Sequence, residues 1–104
     1  MRISLTSRHL KPTKELKDYA KERLRKVEKY LSEPIEAGVI LTWEKFRHIV
    51  EITINHSGIT IRGEEVATDM RAAIDKAMEK IEKQLRRQKD KLYDKKRAKE
   101  KWRS

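Results

Sequence analysis

The feature that most constrains this fold is a change of hydrophobic period along the chain, from helical spacing to strict alternation and back. Val39, Leu41 and Trp43 alternate with Ile40, Thr42 and Glu44. Val50, Ile52 and Ile54 alternate with Ile49, Glu51, Thr53 and Asn55, and Ile59 and Ile61 alternate with Thr60 and Arg62. A period of two carried by β-branched residues predicts half-buried strands. Before this block, Leu16, Tyr19, Ala20, Leu24, Val27, Tyr30 and Leu31 fall within a band of roughly 140° at about 100° per residue, which predicts a helix of about 18 residues. Thr13 is its N-cap, Glu15 suits its first turn, and Pro34 ends it. After the block, Met70, Ala73, Ile74, Ala77, Met78, Ile81 and Leu85 form a second apolar band behind Thr68 or Asp69 as cap. Ile3 and Leu5 alternate with Ser4 and Thr6 in a short first strand over 2–7. Asn55-His56-Ser57-Gly58 is a hairpin turn, and Glu44-Lys45-Phe46-Arg47 is a second short connection.

The order β-α-β-β-β-α predicts a two-layer α+β domain. The first and second strands are parallel through a right-handed crossover, and the later strands form a meander. The resulting four-stranded mixed sheet carries both helices on one face. Thr42, Glu44, Glu51, Thr53, Thr60 and Arg62 are left for the other, solvent-facing side.

Charge decides what such a domain binds. The chain has 104 residues, 27 Lys+Arg against 17 Asp+Glu, a net charge of +10, and no cysteine. That length supports one domain, and the absence of Cys excludes a disulfide scaffold, a zinc ribbon and thiol catalysis. No apolar run approaches the ~20 residues of a membrane span. The first ten residues lack a signal-peptide apolar region, and acidic residues begin at Glu15, unlike a transit peptide. The expectation is a soluble, cytoplasmic protein. Residues 1–30 are net +6, residues 31–70 net −4, and residues 86–104 net +7. A polyanion is the default partner, and the terminal segments are where it would bind. Past Leu92 the apolar pattern ends, so residues 1–92 read as the domain and 93–104 as a basic, disordered tail entered through a fraying helix.

No constellation suits catalysis. His9, His48 and His56 are not at metal-ligand spacing, and Gly38, Gly58 and Gly63 form no phosphate loop. Glu64 and Glu65 are neighbours on a strand and point to opposite faces. The expectation is a protein that is no enzyme and uses no metal, cofactor or small-molecule substrate. The helices are more informative. Lys14, Lys17, Lys21 and Arg25 form a stripe on the first, with Lys26 and Lys29 on another flank. Lys76, Lys80, Lys83 and Arg87 form a stripe on the second, continued by Lys91. Arg23 falls inside the apolar band, where a guanidinium must snorkel to water or a carboxylate. These stripes could be solvated faces laced by i,i+4 pairs, such as Asp18–Glu22–Lys26 and Asp75–Glu79–Lys83. With both helices on one sheet face, however, the stripes are expected to lie side by side and bind phosphates through counterion release. Lys and Arg on phosphates read shape rather than sequence. Trp43 and Phe46 flank a turn, Trp102 lies in the tail, and no aromatic platform exists on the open sheet face to stack single-stranded bases.

Several segments resemble the ribosome hibernation-promoting factor family, also called the protein Y or ribosome-associated inhibitor family. Ile3-Ser4-Leu5-Thr6-Ser7-Arg8 resembles its first strand and following basic residue. Arg23, Leu24, Lys26, Val27, Glu28, Lys29 and Tyr30 carry the pattern RLxKxEKY. Asp69-Met70-Arg71-Ala72-Ala73-Ile74-Asp75 and Lys80-Ile81-Glu82-Lys83-Gln84-Leu85 are similar to the DMYAAID and KLERQL signatures. Arg71 stands where the family usually has Tyr, Lys83 replaces Arg, and Ile81 replaces Leu. The resemblance covers about residues 2–92 and is to the short form, without the linker and dimerisation domain of longer relatives.

The resemblance implies the same β-α-β-β-β-α fold, similar in architecture to double-stranded-RNA-binding domains. It implies docking in the small ribosomal subunit of the 70S ribosome, where messenger RNA and the A- and P-site transfer RNAs would lie. Steric occlusion there silences translation and protects idle ribosomes. The residues it implies as ribosomal-RNA contacts are Arg8, Arg23, Lys26, Lys29, Lys80, Lys83, Arg87, Lys89 and Lys91. Lys14, Lys17, Lys21, Arg25, Lys76 and Arg86 are added by the charge pattern alone. The alternatives are a generic double-stranded-RNA-binding module and a protein-interaction adaptor.

Overall fold

The computed structural model describes the backbone of residues 1–101 and the side chains of residues 1–88. The elements are β1 (Arg2–Arg8), α1 (Lys14–Leu24) followed by a 3-10 segment (Arg25–Lys29), β2 (Glu36–Trp43), β3 (His48–His56), β4 (Ile59–Ala67) and α2 (Met70–Lys101). The sheet order is β1-β2-β3-β4. β1 runs parallel to β2, and the remaining pairs are antiparallel. This is the mixed four-stranded α+β architecture that the periodicity predicts.

Strand parity decides the two faces. Ala37, Val39 and Leu41 of β2, Val50, Ile52 and Ile54 of β3, and Ile61 of β4 point inward and are buried. They meet Ala20, Leu24 and Val27 from the first helical unit and Met70, Ala73, Ile74, Ala77, Met78, Ile81 and Leu85 from α2. Among the described residues no polar or charged residue is buried in this core, so it is held by apolar burial at ~25 cal/mol per Å². α2 lies across β3 and β4, with α1 packed beside it. Gly63 makes the close crossing possible: a Cβ there would stand 3.1 Å from the Ala77 carbonyl oxygen.

The local signals act where the sequence places them. Thr13 Oγ1 accepts from the Leu16 amide at 3.2 Å, and Asp69 Oδ2 accepts from the Ala72 amide at 3.1 Å. Ser57 and Gly58 have φ of 47° and 77° between the paired His56 and Ile59. Two successive left-handed residues are what a two-residue hairpin loop needs to match the strand twist.

Each helix ends in a way that its sequence explains. The first helix is α-helical for only 11 residues and then tightens into the 3-10 segment. A repeat of three residues per turn stacks i and i+3 directly. It therefore keeps Leu24, Val27 and Tyr30 in line against the core, with Val27 fully buried. At the other end, α2 runs as helix to Lys101, past the domain limit at 92 and along the expected helical extension. No Gly or Pro interrupts 86–101, and Lys, Arg, Glu and Gln are good helix formers. The side chains from 89 onward and the backbone of 102–104, including Trp102, lie outside the described residues, as does the expected disorder of the tail.

Candidate nucleic-acid interface

The seam between the helices explains the misplaced charge of Arg23. Its Nε lies 3.0 Å from Asp75 Oδ1, and Tyr19 OH donates to the same oxygen at 2.6 Å. The Arg23 Nε–H is buried without a hydrogen-bond partner, so its contact with Asp75 is ionic and not a directed hydrogen bond. Arg71 lies over the Tyr19 ring, 5.2 Å from its centroid, within cation–π range. The hydrogen bond to Asp75, together with burial and the carboxylate's charge, pushes the Tyr19 hydroxyl pKa up. Tyr19, Arg71 and Asp75 had no functional reading from sequence. The one available signal was Arg23 itself, since a cation in an apolar band requires an acid on the facing element.

A second polar set fixes α2 to the sheet edge. Lys80 Nζ lies 2.7 Å from Glu65 Oε1 and donates to the Glu64 carbonyl at 3.2 Å. Gln84 Nε2 donates to the Arg62 carbonyl at 2.8 Å. These side chains cover outward carbonyls of β4, an edge strand that would otherwise invite pairing. The Lys80 hydrogen bond holds the Glu65 carboxyl below its usual range.

The sequence-derived cations do not form one patch. Tyr19 and Arg23 mark the side of α1 that faces α2. Lys14, Lys17, Lys21 and Arg25 lie roughly opposite, at about 100° per residue. On α2, Lys76, Lys80, Lys83 and Arg87 lie about 110° round from Asp75. The two stripes therefore face apart instead of lying side by side, because α1 presents its Tyr19–Arg23 flank to its partner. Lys26 and Lys29, three and six residues after Arg23, continue that flank through the 3-10 segment. Lys29, Lys76, Lys83, Arg86 and Arg87 are exposed, and Lys26 is half-buried. Among the described residues, neither Asp18–Glu22–Lys26 nor Asp75–Glu79–Lys83 closes as an ion pair, and Asp75 pairs with Arg23 instead. The side chains of Lys89 and Lys91 lie outside the described residues.

Arg8 belongs elsewhere. It shares strand parity with Arg2, Ser4 and Thr6 on the open sheet face, away from the helices. The cross-strand row there is Arg8–Thr42–Ile49–Val66. Two arginines on that face are paired, Arg2 with Glu36 at 3.9 Å and Arg62 with Glu51 at 3.5 Å. Glu44 falls past the end of β2. It closes the β2–β3 connection, accepting from Arg47 Nε at 2.6 Å. Among the described residues no cluster of His, Asp or Glu could hold a metal ion, and no helix is long and apolar enough to cross a membrane.

Comparison with known proteins places this arrangement. A sequence model of the family described as Sigma 54 modulation protein / S30EA ribosomal protein matches residues 3–93. The ribosome hibernation promoting factor of Salmonella typhimurium is 33% identical over 92 residues, covering 88% of this chain and 97% of that protein. The ribosome hibernation promotion factor of Deinococcus radiodurans is 37% identical over 88 residues, covering 80% of this chain and 46% of the relative. The crystal structure of the Thermus thermophilus protein Y N-terminal domain superposes with a TM-score of 0.78 at 32% identity, covering 84% of this chain and 98% of that one. A ribosomal subunit interface protein from Coxiella burnetii shares the fold, with a TM-score of 0.77 at 24% identity over 86% of this chain and 99% of that one. The strand order, the paired helices and these matches together make the chain a member of the Sigma 54 modulation protein / S30EA ribosomal protein family, the family of ribosome hibernation factors.

Proposed function

We propose that this chain silences idle ribosomes in the cytoplasm by lodging in the decoding channel of the small subunit. It would set its helix layer on ribosomal RNA and occlude the space used by messenger RNA and by A- and P-site transfer RNA. The supporting observation is the distribution of unpaired charge. Arg2 and Arg62 on the open sheet face are matched by carboxylates, leaving Arg8 at its end, whereas Lys26, Lys29, Lys83, Arg86 and Arg87 on the helix layer have no carboxylate partner among the described residues. Cations free of internal partners are the ones that can displace counterions from phosphates. The protein acts by shape and charge, without chemistry, and no dimerisation module is needed for the block itself.

Two of the sequence-derived contacts take changed roles in this reading. Arg23 and Lys80 are held by Asp75 and Glu65. They brace the surface while Lys26, Lys29, Lys83 and Arg87 touch phosphate. Added to a translation reaction, the protein should lower the rate in proportion to its ratio to ribosomes. It should also prefer assembled small subunits to free duplex RNA. Equal affinity for a free duplex would instead favour a generic double-stranded-RNA module, and no affinity for RNA at moderate salt would favour an adaptor of proteins.

A further inference from the structure

We infer that the β2–β3 hairpin tip is a second RNA contact, at which Phe46 stacks on an unpaired nucleobase. Phe46 is the chain's single phenylalanine, and it is 83% exposed. A lone exposed apolar residue is ordinary on a protein surface, but the setting of this one is not. The tip is built rigidly. The Glu44 amide donates to the Arg47 carbonyl at 3.0 Å, and Arg47 Nε donates back to the Glu44 carboxylate at 2.6 Å. The turn after β1 is tied to the same end of the sheet, with His9 Nδ1 2.9 Å from the Trp43 carbonyl oxygen. His9 adopts a left-handed φ of 76° there, a conformation that His, Asn and Asp take more readily than other non-glycine residues.

Lys45 and Arg47 flank Phe46 in the chain, Arg8 pairs with Thr42 near the same end of the sheet, and Glu44, the acid of this connection, is occupied by Arg47. Lys45 Nζ lies 5.6 Å from the Phe46 centroid. An exposed aromatic ring with cations beside it matches a flipped-out base and its flanking phosphates. Pre-organisation lowers the ordering cost of such a contact. A protein partner would be better served by a larger apolar surface, and the basic surroundings favour RNA. This contact also gives Arg8 a place in binding, although its side chain is not on the helix layer.

The proposal rests on the reading that the chain binds small ribosomal subunits, and the experiment separates the two. Binding to isolated small subunits is measured for wild type, Phe46→Ala, Phe46→Leu and Phe46→Trp across a salt series. Stacking predicts that Phe46→Ala and Phe46→Leu each weaken binding at least about fivefold and that Phe46→Trp restores it. The salt slope should not change, because no cation is removed. Wild-type affinity in Phe46→Ala overturns the proposal and leaves the ribosome reading standing. Rescue by Phe46→Leu also overturns it, by showing packing against apolar protein surface in place of stacking. Failure of the wild type to bind subunits removes the ribosome reading and this proposal with it.

Discussion

At the scale of single residues, two positions concentrate the structural cost. Gly63 sits where β4 passes under α2, and an added Cβ would press on the Ala77 carbonyl at 3.1 Å and on Ile81 at 3.3 Å. Backbone cannot yield as a flexible side chain can, so Gly63→Ala should destabilise by about 1–3 kcal/mol. A thermal melt checks this, and an unchanged Tm would mean that α2 sits further from β4. Tyr19 gives a pH test. Its pKa is raised because Asp75 favours the neutral hydroxyl. The stabilisation is therefore complete below the ordinary tyrosine value near 10 and is lost as pH rises through the raised folded-state value. Tyr19→Phe should cost about 1 kcal/mol at neutral pH and should flatten the alkaline limb of the stability curve. Parallel alkaline limbs for the two proteins would show that the Tyr19–Asp75 bond contributes nothing.

At the scale of elements, the strands were legible in the sequence because side-chain alternation acts locally. Burial parity in β2 and β3 follows Val39–Leu41 and Val50–Ile54, and Thr13 caps as its position implies. What was not legible depends on partners distant in sequence. Arg23 finds Asp75, and Lys80 finds Glu65, across loops whose geometry no periodicity reports. The orientation of the two basic stripes follows from which flank α1 turns toward α2, and a helical wheel contains no such information. The parity of Arg8 was legible, since it lies at even spacing from Ser4 and Thr6 and shares the outer face of β1 with them. Lys80 tests the edge that α2 covers. Its hydrogen bond lowers the Glu65 pKa, so this stabilisation is present above about pH 4.5 and is lost as pH falls through the depressed folded-state value. Lys80→Ala should lower Tm at neutral pH and make stability less pH-dependent in the acid range. An unaltered acid limb would separate Lys80 from Glu65.

At the scale of the whole molecule, the net charge of +10 divides between two faces with different internal accounts. The open face matches Arg2 and Arg62 with carboxylates, while the helix layer pairs Arg23 and Lys80 and leaves Lys26, Lys29, Lys83, Arg86 and Arg87 free among the described residues. The same layer owes its shape to an apolar core without buried charge among the described residues, so its unpaired cations, Lys83 and Arg87 among them, can be exchanged with little effect on folding. The most direct test is the salt dependence of binding to isolated small subunits, measured by co-sedimentation for three proteins: wild type, Lys83→Glu with Arg87→Glu, and Arg2→Glu with Arg62→Glu. Binding through the helix layer predicts a weaker complex for the Lys83/Arg87 pair, with a log–log salt slope shallower by about two, and a wild-type slope for the Arg2/Arg62 pair. The opposite assignment, with the slope unchanged by the helix pair and reduced by the sheet pair, would contradict the account.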